Sequence, residues 1–78
     1  MDRALIEDHL AQAERHVSEG EGHIARQREI VATLEHDGHD TVAARATLAQ
    51  FEDVQRLHVA DRDRLRRELS ESVGGSRP

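Results

Sequence analysis

The chain has no cysteine, tryptophan, tyrosine or lysine, one phenylalanine (Phe51), and a single proline at its last position, Pro78. Without cysteine there is no disulfide framework and no thiolate zinc site. With one aromatic ring there is no stacking platform for single-stranded nucleic acid. Nothing before Pro78 forbids a long helix. No run approaches the ~18 apolar residues of a membrane span, and Met1-Asp2-Arg3 lacks the apolar core of a signal peptide. At 78 residues the chain has room for one small core. These absences lead to the expectation of a cytoplasmic helical protein with no membrane association.

What the chain has is charge. Charged residues make up 35% of it and the net charge is -5, which disfavours nucleic acid and anionic membranes. Residues 1–38 hold nine acids and four arginines, whereas residues 39–78 hold seven of each, so an acidic half can pair with a neutral one. All eleven basic residues are arginine, a bias that bidentate carboxylate pairing or genome composition would equally produce.

The strongest punctuation is Glu35-His36-Asp37-Gly38-His39-Asp40-Thr41. Gly38 suits the left-handed end of a helix, and Asp40 or Thr41 can cap the next. The expected fold is therefore all-α, a two-helix antiparallel hairpin: helix 1 over about 2–37, a turn at 38–40, helix 2 over about 41–69, and a flexible tail at 70–78. These limits make residues 1–69 the helical hairpin as a unit.

A heptad runs along helix 1. Leu10, Val17, Ile24 and Val31 form one seam position, and Ile6, Ala13, Gly20, Gln27 and Leu34 the other. One flank is charged: Glu7, Glu14, Glu21, Arg28, Glu35. The other carries His9, His16, His23 and Ile30, with Leu5 and Leu34 nearby. The apolar-plus-histidine arc spans roughly 160°, wider than the ~100° one neighbour needs. A second neighbour from another chain is expected, giving a homodimer and a four-helix bundle with His9, His16, His23 and Ile30 in the dimer interface.

Helix 2 presents Ala44, Leu48, Phe51, Val54, His58, Leu65 and Leu69, interrupted on the same face by Gln55 and Arg62. If the chain reverses symmetrically about Gly38–His39, residue i meets residue 78 minus i. His58 then lies near Gly20, whose lack of a side chain would make room for it. Gly20, Gln55, His58 and Arg62 form a polar layer that can fix register, or a pocket for a small ligand.

The histidines admit two chemical readings beside that of an ordinary amphipathic flank: a pH-responsive interface, or a metal site using His16, His23 and His58. Residues seven apart sit about 10.5 Å apart along one helix, so no single ion bridges two of them without ligands from elsewhere. The cluster at Glu35–Asp40 lacks calcium-loop spacing and already has capping work. No catalytic residues are expected: there is no Glu-x-x-His, no His-Glu-x-x-His, no Gly-rich phosphate loop, and no base beside Ser18. His followed by an acid occurs only within the turn, without the Thr-Pro or Asn-Pro that would complete a sensor-kinase phosphoacceptor.

The stretches Gly38-His39-Asp40-Thr41 and Leu57-His58-Val59-Ala60-Asp61-Arg62-Asp63-Arg64-Leu65 resemble those of short bacterial helical proteins with no established activity. That resemblance implies the helical fold and no chemistry. In architecture alone, an acidic dimer of hairpins is similar to the RNA-binding Rop type, for which Arg62, Arg64, Arg66 and Arg67 would be the contacts. The function expected is non-enzymatic: a self-associating interaction or scaffold protein without a cofactor, compatible with a further protein partner. The alternatives are a metal- or pH-responsive module and a Rop-like nucleic-acid binder.

Overall fold

In the absence of any breaker, two long helices account for almost the whole chain. A computed structural model describes residues 2–75: α1 spans Arg3–His36 and α2 spans Val42–Gly75, antiparallel, with no strand among the described residues. The Cα extents of 65 × 14 × 13 Å are those of one helix pair with no third layer.

The connection is built from local chemistry. Gly38 has φ +74°, which an L side chain rarely adopts. Its N–H donates to Glu35 O (3.1 Å) and the His39 N–H to Leu34 O (2.9 Å), the two bonds of a Schellman end. Asp40 Oδ1 accepts from the Val42 N–H at 2.9 Å and caps α2. Thr41 does not cap with its hydroxyl, which instead accepts from Arg45 Nε at 3.0 Å.

One expected limit and one expected pairing change. α2 does not stop at Leu69: residues 70–75, assigned above to a tail, are helical, and residues 76–78 lie outside those described. Serine and glycine lower helix propensity by a fraction of a kcal/mol to ~1 kcal/mol each, which weakens a helix without ending it. The pairing along the histidine edge also falls about one turn from symmetric reversal, while Ala13 and Leu65 cluster as that reversal places them. His16 meets His58 and His23 meets Phe51, where symmetric reversal would have set His58 opposite Gly20.

The core is thin. Ile6, Ala13, Val17, Val31 and Leu65 are the buried apolar residues, and Ile6, Ala13 and Leu65 cluster with Leu10 and Leu69 packed on them. Two glutamines tie the helices across the seam: Gln27 Nε2 donates to Ala44 O and Gln55 Nε2 to Val17 O, each at 2.9 Å.

Gly22 is a helical glycine on the exposed side, and a Cβ there would meet nothing within 4 Å. Gly22→Ala is expected to raise stability by about 0.5–1 kcal/mol, because alanine restricts the unfolded chain and favours the helix. Urea melts of the two proteins measure it; an unchanged or lower midpoint would mean that Gly22 has a role the helix alone does not give it.

Candidate functional site

The two long edges of the hairpin differ. One is closed by ion pairs between the helices: Glu14–Arg66 at 3.2 Å, Arg28–Glu52 at 3.4 Å, and Glu35–Arg45. This is the charged flank of the heptad meeting residues of opposite charge on α2. Such exposed pairs contribute about 0–1 kcal/mol each and serve mainly to define this edge.

The other edge has no ion pair between the helices among the described residues. It holds a groove of about 310 Å³ lined by His16, Glu19, Gly20 and His23 of α1 and Phe51, Val54, Gln55 and His58 of α2. The His16 and His58 ring centroids are 5.0 Å apart, and those of His23 and Phe51 are 5.8 Å apart. His16 and His58 are half-buried, whereas His9 and His23 are exposed. Large apolar side chains on the same edge remain in solvent: Val54 is 48% exposed, Leu5 44% and Ile30 37%.

The expected polar layer is assembled differently. Gly20 makes room for Gln55, not for His58: a Cβ on Gly20 would stand 1.9 Å from Gln55 Oε1. That close approach lets the Gln55 amide lie across α1 and donate to Val17 O, but it leaves Oε1 buried without a hydrogen-bond partner. Arg62, half-buried, pairs with Asp63 at 3.0 Å and does not line the groove. His58 joins His16 instead. The two seam glutamines tie side chain to backbone across the seam, and Gln27 was the one missed, although its heptad position on the seam was the available signal.

The expected metal ligands are only partly brought together. His16 and His58 are neighbours, but His23 lies one step along the groove against Phe51. Among the described residues no three His, Asp or Glu side chains are arranged to hold an ion.

The arginine-rich stretch is largely occupied by acids of its own and of α1. Arg62 bonds Asp63, Arg64 bonds Asp61 and Glu68, and Arg66 bonds Glu14. The hydrogen bond to Asp61 first, and the charge of Glu68 next, raise the Arg64 guanidinium above its ordinary value. Phosphates would have to displace these carboxylates. No helix among the described residues is long and apolar enough to cross a membrane. No protein-family model matches the chain, and no curated protein or solved structure matches it.

Proposed function

We propose that the protein is a non-enzymatic, cytoplasmic helical scaffold whose first partner is a second copy of itself, packed groove to groove as an antiparallel four-helix bundle. The observation that carries this reading is the symmetry of the groove edge. Its centre lies midway between Glu19 and Gly20 on α1 and midway between Val54 and Gln55 on α2. Counted from that centre, Leu5 is as far out as Leu34, His9 as Ile30, and His16 as His23; on α2, Phe51 is as far out as His58. A two-fold axis across the groove therefore sets α1 against the partner's α1 and α2 against the partner's α2, leucine on leucine and ring on ring.

Area supports the same reading. The lone chain exposes 5707 Å², against about 4,800 Å² for a globular protein of 8.8 kDa. The excess, roughly 900 Å², is close to the ~800 Å² that one partner contributes to a standard interface. The alternative two-fold, parallel to the helices, would lay α1 on the partner's α2 and bring Leu34 to the level of Asp40. Nucleic-acid binding is less well supported, since three of the four candidate arginines already hold carboxylates.

Because the protein has no native cysteine, introduced thiols report the topology directly. Glu19→Cys, beside the axis, is expected to form crosslinked dimers with a short bis-maleimide. Leu5→Cys alone is not, as its two copies would lie about 43 Å apart along the bundle. Leu5→Cys combined with Leu34→Cys restores the crosslink. Crosslinking of Leu5→Cys alone, with none at position 19, would reject this packing.

A further inference from the structure

The geometry points to a transition-metal site that a single chain only half builds: His16 and His58 of one protomer, completed by His23 of the other. This inference rests on the antiparallel dimer proposed above. Within one chain, the His16 and His58 ring centroids are 5.0 Å apart. Two imidazoles bound to one tetrahedral ion at 2.0–2.1 Å have centroids about 5.2 Å apart, so this pair needs little movement to share an ion. The pair lies in an open groove rather than in the seam, which leaves space between and in front of the rings.

The missing ligand follows from the symmetry. His16 and His23 are equidistant from the groove centre, so the two-fold brings the partner's His23 to the level of His16. His23 is exposed in the lone chain and can turn outward. The dimer then holds two identical three-histidine sites, one on each side of the axis. Three neutral imidazoles suit zinc, nickel or copper, and leave a fourth position for water or for Glu19, which lines the same groove. A ligating imidazole usually donates its other ring N–H to an acceptor; Gln55 lines the same groove, and its buried Oε1 has no partner in the lone chain. Neither feature alone makes a site; the close pair and the symmetry-placed third imidazole together do.

The other two-fold predicts something different. With the axis parallel to the helices, His16 and His58 of both chains would meet in one four-histidine layer, and His23 would take no part. Stoichiometry and His23 therefore separate the two. The experiment is a titration of the metal-free 78-residue chain with Co²⁺, followed in the visible spectrum, with sedimentation of the protein before and after. We expect tetrahedral Co²⁺ absorption saturating at one ion per chain, with Zn²⁺ displacing the Co²⁺. His23→Gln, on an exposed position, should still sediment as a dimer yet bind at least tenfold more weakly. Replacing His36 and His39 by Gln, away from the groove, should change nothing. A dimer that binds no ion, or binds one ion per two chains regardless of His23, overturns the site and leaves self-association standing. A protein that stays monomeric with and without metal overturns the dimer and the site with it.

Discussion

Leu65→Ala is expected to cost 2–5 kcal/mol, the range for leucine truncation in a packed core. Leu65 is only 3% exposed and completes the cluster with Ile6 and Ala13 that joins the open ends of the two helices. Among the described residues no side chain is wholly enclosed, so this cluster carries much of the burial the hairpin has. A chain of this length has a total stability of roughly 4–12 kcal/mol, and the substitution removes a large part of it. Leu57→Ala is the matched control: Leu57 is 71% exposed and its loss should change stability by no more than about 0.5 kcal/mol. Urea melts followed by circular dichroism at fixed protein concentration compare the pair. Equal midpoints for the two variants would mean that the register of α2 against α1 is wrong.

The second large effect concerns assembly rather than folding. Val54 lines the groove next to its centre and is about half exposed in the lone hairpin. Val54→Glu should therefore cost the isolated hairpin little. In the antiparallel dimer it places two carboxylates beside the axis, where their repulsion at an effective dielectric near 20 and the lost valine burial together exceed roughly 3 kcal/mol. The dimer dissociation constant should rise about 100-fold or more, with the helical spectrum retained once the protein is folded. Analytical size-exclusion with light scattering over a dilution series reads this. If the variant stays as dimeric as the parent at every dilution, Val54 is outside the interface.

The parts of the fold that are local in origin were legible in the sequence. Gly38 and Asp40 act through their own backbone and the next few residues, and their types announce a Schellman end and a cap. The heptad of α1 likewise marked Ile6, Ala13, Val17 and Val31, all buried in the hairpin. What was not legible depended on where the reversal falls. Counting from Gly38–His39 placed His58 against Gly20, whereas the partner of Gly20 is Gln55. A shift of one turn leaves the same faces inward, so apolar periodicity cannot detect it. The end of α2 was misjudged for a related reason. Ser70, Ser72, Gly74 and Gly75 weaken a helix without ending it, and composition does not distinguish the two cases. In the candidate site, the histidine flank was visible as a seven-residue repeat. Its division into a His16–His58 pair and a His23–Phe51 pair emerged only once the register was known.

The central claim is that the groove edge carrying His16, His23, Val54 and His58 is covered by a second copy of the chain. Sedimentation equilibrium of the unmodified, metal-free protein at micromolar concentration tests it most directly. The account predicts a mass twice the 8.8 kDa of the chain. A single-chain mass throughout that range, with the helical content of the full hairpin retained, would contradict it.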